Sequence, residues 1–441
     1  MSTEYLTAPI DAESERRLAE ERLRLDLVDT ADREAFAEWL QVEARGFHSS
    51  RTTPETLTAQ LDDLADRRTT GVWDDTAAEP TAPVATVSSW PVDLTVPGER
   101  DVAAWAISAV TVSPTHRRRG IARAMLEAEL RTAKRLGCAL AILTVSEATI
   151  YSRYGFAPAA MMADWQIDTP KAKWAGPASS GRMHFVSTEQ LRVEGPAIIE
   201  RVRLRNPGQI SFSGHLWERL VGFSGTERSE ADKLRAVRYD DGDGVPQGFA
   251  VFTVTATEKN YDAHVLDVKY LVSATDDAAA SLWRFMFEMD LVTQVRAPLR
   301  PVREAFAWQV SDFRAVRKTL ERDHLWTRIL DVRAALESRG YNAPGTIALT
   351  ISDPLGFANE RVLLEVDDAG VGRVRPLDGD LPSGVAAVTL TVNELGALYL
   401  GGVSAATLAS AGRITETHPG SADALDRLFL SPVAPWLSIW F

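Results

Sequence analysis

Apolar positions in this chain switch repeatedly between a helical period and short strand-like runs, the pattern of mixed α/β domains. Residues 1 to about 25 read as a charged tail or an extra helix, with Leu18, Leu23 and Leu25 too sparse to build a core. Phe36, Trp39, Leu40 and Val42 then recur at helical spacing, and a second helical stretch runs from Pro54 to Leu64. Two strands, Gly71–Trp73 and Val84–Trp90, precede a turn at Val96-Pro97-Gly98. Trp105, Ile107, Val110 and Val112 mark a further strand, which Ser113-Pro114-Thr115 must break because proline has no N–H for the ladder. From Ile121 the period is helical again, with Ile121, Met125 and Leu126 on one face and Leu136-Gly137 as its end. A buried strand, Ala139–Val145, and a short helix ending at Gly155 complete this block.

The polar loop Asp168–Arg182 reads as a linker. Beyond it, helices are expected at Leu191–Arg203 and Leu216–Val221, and strands at Leu234–Tyr239 and Gly248–Ala256. A strand–helix unit follows, from Val265 to Phe287. Shifted by 160 positions it sets Val272-Ser273-Ala274-Thr275 against Val112-Ser113-Pro114-Thr115, with Asp277, Ala278, Ala279 and Ala280 where the first copy has three arginines and a glycine. The last third predicts a helix Leu325–Arg339, strands Gly345–Ser352, Arg361–Val366 and Val385–Leu390, and helices Asn393–Leu400 and Ala405–Ala411.

At 441 residues the chain exceeds one ordinary core, so two to three domains are expected. It is 45% hydrophobic and 25% charged, with no apolar run long enough to span a bilayer. The charged start shows no signal peptide, and the expectation is a cytoplasmic protein. Cys138 is the one cysteine, which excludes an internal disulfide and a cysteine zinc site and reads as a small core residue. A net charge of −13 argues against nucleic-acid binding and suits cationic substrates.

The chemistry concentrates between Trp105 and Leu126. A strand feeding a helix through Arg117-Arg118-Arg119-Gly120 can hold a pyrophosphate: the first N–H groups of a helix are unpaired, its dipole favours an anion, and glycine allows close approach. It is neither a Walker loop nor a Rossmann turn. Three arginines in a turn could also be a solvated surface, but the proline break and the amphipathic helix occur with them.

The stretch Val110-Thr111-Val112-Ser113-Pro114-Thr115-His116-Arg117-Arg118-Arg119-Gly120-Ile121 resembles the acetyl-CoA motif of the GNAT superfamily of N-acetyltransferases and, more narrowly, that of the Eis family of actinobacteria. Ile150-Tyr151-Ser152-Arg153-Tyr154-Gly155-Phe156 is similar to that family's second signature. Leu395–Gly402 and Ala409–Arg413 look like its sterol-carrier-like domain. The resemblance implies an α/β (α+β) chain of two tandem GNAT-like domains and a sterol-carrier-like C-terminal domain. The divisions are a tail at 1–25, a catalytic domain at 26–180, a degenerate copy at 181–320 and the last domain at 321–441. It also implies a homohexamer.

The activity implied is direct acetyl transfer from acetyl-CoA to a primary amine, on an aminoglycoside-like, polyamine or lysine-type acceptor. Cys138, in an apolar run without a nearby histidine, is unsuited to a covalent intermediate. Tyr151 matches the family's general acid, with Tyr154 as the near alternative, and Phe441 supplies the C-terminal carboxylate that serves as base in the family. Burying the apolar terminus Trp436–Phe441 would desolvate that carboxylate and raise its pKa. Cofactor contacts carry over to Val110, Thr111, Val112, Arg118, Arg119, Gly120, Ile121, Ala122 and Arg123, with Ser146 and Glu147 on the other side. Ser49 and Trp440 stand where an aminoglycoside-acetylating member has acids, and Thr144 replaces a pocket histidine. A more apolar acceptor pocket lined by Phe47, Trp90 and Trp440 is therefore expected. The competing reading is an acyl-CoA-sensing or lipid- or partner-binding protein without turnover.

Overall fold

A computed structural model describes residues 3–211, 214–223, 231–257 and 260–441. They form two compact units, one built from residues up to 159 with 325–432 and Phe441, the other from 160–324 with 433–440.

In the first unit, helix α1 (Ala12–Glu20) leads to strand β1 (Arg24–Val28), helices α2 (Arg33–Gly46) and α3 (Pro54–Asp63), and strands β2 (Arg68–Trp73), β3 (Ala85–Val96) and β4 (Arg100–Val112). Helix α4 (Ile121–Arg135), strand β5 (Leu140–Thr144) and the one-turn helix α5 (Ala148–Tyr151) follow. Local chemistry sets the helix starts. The Asp32 carboxylate accepts from the Glu34 and Ala35 N–H groups to open α2, and Thr53 with Pro54 opens α3. Strands β1 to β4 pair antiparallel in chain order, β4 pairs parallel with β5, and Leu325–Ile329 closes antiparallel on the far side of β5. Trp105, Met125, Leu126, Leu130, Phe156 and Trp326 fill the core that α4 covers.

The N-terminal segment is not a tail. Leu18, Leu23 and Leu25 are buried in that core, the Ser14 hydroxyl donates to the Ala124 carbonyl at 2.8 Å, and Arg17 pairs with Glu127 at 2.7 Å. One leucine lies on α1 and the others at and before β1, so the apolar period changes within the segment and neither template picks it up.

The expected helix Leu325–Arg339 is also corrected. Residues 325–329 end a strand, Val316–Ile329, that zips onto β5, and the helix is only Val332–Ser338, started by the Asp331 side chain. Arg328, fully buried on that strand, meets Asp353 at 2.7 Å and donates to the Tyr154 carbonyl at 2.6 Å. The C-terminal domain's own sheet has Gly345–Ser352 flanked by Glu360–Val366 and Ala386–Thr391, with Gly372–Pro376 and Thr415–Glu416 at its edges. Its helix Val392–Tyr399 opens with a capping box between Thr391 and Glu394. Gly98 and Gly340 touch backbone to backbone, where a Cβ on Gly98 would lie 2.9 Å from the Gly340 Cα.

The second unit repeats the first one's central motif. Asn260–Ser273 runs parallel to Val292–Arg300 and is joined to it through the helix Asp276–Phe287, as β4 is joined to β5 through α4. Pro246–Thr257, Arg235–Asp240 and Arg182–Val186 extend the sheet on one side and Ala157–Asp168 on the other. Trp283, Phe306, Phe252 and Leu266 centre its core. Among the described residues no helix is long and apolar enough to cross a membrane, and no His/Cys/Asp/Glu group could hold a metal ion.

Candidate active site

Strand β4 parts from β5 halfway along. Their pairing covers only Ala104–Ala106 against Leu140–Ile142, although β4 continues to Val112 and β5 to Thr144. The register of β4 on β3 slips between Thr86 and Ser88, opposite a bulge where Ala109 takes φ 55°. The bulge re-aims the last four residues of β4. Val110, Thr111 and Val112 thus leave the parallel pairing with one backbone edge open to an extended ligand. Two contacts fix this end of the strand: the Thr86 and Thr111 hydroxyls meet at 2.6 Å, and α2 closes on Thr111 where Gly46 has no room for a Cβ, which would lie 2.5 Å from the Thr111 side chain.

The loop from Pro114 to Gly120 then delivers α4. Arg118 and Gly120 both adopt left-handed backbone, φ 66° and 74°, and Gly120 gives α4 no side-chain cap. Its first N–H groups therefore point outward unpaired by any capping side chain, at the start of a 15-residue helix. The corresponding helix of the second unit differs here. Thr275 caps it by accepting from the Ala278 N–H at 3.1 Å, and Asp276 and Asp277 occupy its first turn. One N–H is thus taken by a cap, and two carboxylates set negative charge where α4 has none.

The arginines divide in function. Arg117 and Arg118 are exposed. Arg119 turns back to Asp74 at 3.5 Å and to Glu21, and His116 lies 3.1 Å from the same Asp74. Hydrogen bonds from Thr76, then from His116, hold the Asp74 carboxyl well below the usual carboxylate range. Arg123 pairs with Glu127 at 2.7 Å. The side chains of Arg119 and Arg123 thus brace the loop and α4, while the backbone N–H groups at the start of α4 stay free of side-chain caps. Ile121 is buried beneath it and Ala122 half-buried.

Past β5, Ser146 and Glu147 are exposed and Tyr151 is buried at the end of α5, edge-on to Phe156 at 6.2 Å. Burial, reinforced by Glu147 and Tyr154, pushes the Tyr151 phenol up to about 12. Tyr154 is raised as well, chiefly by burial. Burial pushes the Cys138 thiol up to about 11, the opposite of what a nucleophile needs.

The chain terminus reaches this strand. The Thr144 hydroxyl, last on β5, donates to a terminal oxygen of Phe441 at 2.8 Å. The Phe441 ring stands edge-on to Trp90 at 5.5 Å, and the Arg67 guanidinium covers Trp90 at 3.9 Å from its centroid. Of the expected trio of Phe47, Trp90 and Trp440, Trp90 is the one in ring contact with Phe441 among the described residues. Phe47 is 45% exposed just beyond α2 and has no aromatic partner among the described residues. Trp440 belongs to the second unit, where it stacks edge-on to His324 at 4.3 Å with Arg322 over it.

Glu43, Arg67 and Ser88, which line a small cavity by the β4 bulge, escaped the sequence reading. The signal for Glu43 was there, since it follows Trp39 by four residues on the inward face of α2.

A bulged strand parting from its parallel neighbour, an uncapped helix start between them, and a second copy of the same unit define a GNAT-type acyltransferase. Acetyltransferase (GNAT) domain families match residues 28–159 and 208–340, and a sterol carrier protein domain matches residues 332–438. A Streptomyces avermitilis protein described as an uncharacterized N-acetyltransferase is 34% identical over 407 residues, covering 91% of this chain and 95% of that one. The N-acetyltransferase Eis of Mycobacterium tuberculosis is 32% identical over 352 residues, 77% of this chain and 81% of that one. The crystal structure of Eis1 from Mycobacterium abscessus shares the fold, with TM-score 0.78 at 24% identity over 95% of this chain and all of the other. The chain belongs to the Eis family of GNAT N-acetyltransferases.

Proposed function

We propose that this N-acetyltransferase moves the acetyl group of acetyl-CoA directly to a primary amine, with the Phe441 carboxylate as base and Tyr151 as proton donor to the departing sulfur. The observation that carries this reading is the terminal oxygen of Phe441 held by Thr144, seven residues before Tyr151.

The residues present suit an acyl-CoA. The open edge of Val110–Val112 offers strand-like pairing to the pantetheine arm, and the outward N–H groups at Gly120–Arg123 suit its pyrophosphate. Acetyl transfer then needs two protons handled. The ammonium gives one to the Phe441 carboxylate, and the free amine so formed attacks the thioester carbon. The tetrahedral adduct loses a second as the C–S bond breaks, and the amide and a thiol result with one proton released to solvent.

Tyr151 stays protonated throughout the neutral range, since its phenol sits at about 12. Full transfer from there to a thiolate with a pKa of about 8.5 would be uphill by roughly 5 kcal/mol. Tyr151 therefore acts first as a hydrogen-bond donor to the charge developing on sulfur, and proton delivery completes as that charge builds.

The test is thiol release from acetyl-CoA across a panel of amines, comparing untagged protein, a C-terminally extended form and Tyr151→Phe. Both changes should cut turnover by about 100-fold or more while acetyl-CoA binding persists. An extended form that works at the untagged rate would remove the carboxylate from the mechanism.

A further inference from the structure

Against the β4 bulge the first unit encloses a cavity of about 50 Å³, walled in part by Trp39 and Glu43 of α2, Arg67, Ser88 of β3, and Ser108 and Ala109 of β4. That space admits a few waters, at roughly 10–15 Å³ each, or one small polar group. Its wall is equipped for a polar guest. The Ser88 hydroxyl is 3% exposed and has no hydrogen-bond partner, a deficit that a native interior seldom tolerates without a ligand or water to fill it. Glu43 brings a carboxyl, which burial raises and the Arg67 charge pulls back down.

The cavity also adjoins the acceptor side of the site. Arg67 is shared between its wall and the Trp90 ring, and Trp90 is in edge contact with Phe441. The charges within it oppose each other. A second ammonium would gain Glu43 but face Arg67, whereas a methyl group would leave the Ser88 hydroxyl unpaired. A hydroxyl or carboxamide can donate to Glu43 and pair with Ser88 without adding charge.

We infer that Glu43 and Ser88 form a subsite for an uncharged hydrogen-bonding substituent on the acceptor amine, and that Glu43 sets acceptor specificity. This rests on Phe441 and Trp90 marking the acceptor site.

The test uses three matched series of linear primary amines, two to six carbons long, that end in methyl, hydroxyl or a second ammonium. Both kcat/KM with acetyl-CoA and calorimetric affinity in the presence of CoA are measured. At one chain length the alcohol should exceed its methyl isostere by about tenfold. That ratio should collapse towards one in Glu43→Met and in Ser88→Ala, and survive in part in Glu43→Gln. A loss of fold would lower both members of the ratio together, so the ratio itself is the readout. The inference is overturned by a ratio near one at every length in the unaltered protein, by a ratio that persists in both variants, by a diamine that outperforms the alcohol, or by absence of binding. Should no amine be turned over while the affinity ratio follows the variants, the subsite stands and the acetyl-transfer reading of Phe441 falls.

Discussion

Thr144→Val is the sharpest test of the terminal carboxylate, because it removes one hydroxyl and nearly nothing else. Valine keeps the β-branched shape of a strand end, so β5 and its pairing with Leu325 should persist. What goes is the 2.8 Å hydrogen bond to the terminal oxygen of Phe441. A hydrogen bond to a charged group is worth about 1.5–3 kcal/mol, and if all of it serves to hold the base in place, kcat should fall about 10- to 150-fold. Edge contact with Trp90 still restrains the Phe441 ring, so the loss belongs near the lower end of that range. The assay is thiol release with untagged enzyme and a saturating amine. KM for acetyl-CoA should stay within about twofold, since no pyrophosphate contact is touched, and Tm should shift by no more than a few degrees. Thr144→Ser restores a hydroxyl and should recover most of the rate. A Thr144→Val enzyme within twofold of the original kcat would refute the idea that this bond positions the base.

Gly120→Ala forces a Cβ onto left-handed backbone at a cost of about 1–2 kcal/mol; with nothing within 4 Å of that Cβ, the effect should be a higher KM for acetyl-CoA at near-normal kcat, and an unchanged KM would count against the loop as the anion cradle. Arg328→Met leaves the Asp353 carboxylate buried and unpaired, so denaturant titration should show a loss of about 3–5 kcal/mol, with much of it recovered in Arg328→Met/Asp353→Leu. Burial depresses the His324 imidazole from its ordinary 6.5 to about 4, so the unfolded chain takes up a proton that the native one refuses. Stability should therefore be full above about pH 6.5 and fall by up to about 3 kcal/mol towards pH 4, a slope that His324→Gln should flatten.

How much of this could be read in advance depended on whether the signal was local. The strand–loop–helix geometry from Val110 to Ile121 was legible because its proline, arginines, glycine and helix start all serve one turn, and their order is their geometry. The repeated unit was legible for the same reason, down to the loss of its anion site, for which Thr275 and the two aspartates give a physical cause. The strand 325–329 was not, because Leu-Trp-Thr-Arg-Ile carries no alternation: all five residues are buried, so both faces lack the polar positions that mark a strand until its pairing with β5 is known. Leu18 was missed through the change of period already described.

The acceptor side was the least legible part, and the reason is topological. Trp90 is followed by more than three hundred residues before Phe441, so nothing local in the sequence says that their rings meet. The family resemblance, with Ser49 and Trp440 at positions where it implies acids, pointed towards an apolar pocket. The structure places a carboxyl elsewhere, on the inward face of α2 at Glu43, beside a hydroxyl that lacks a partner. The two positions differ in what they can select. An exposed acid attracts any polycation through a screened field, whereas a half-buried acid set against Arg67 would discriminate more by hydrogen-bond geometry. On the subsite inferred above, selection at Glu43 would rest on hydrogen-bond fit more than on charge.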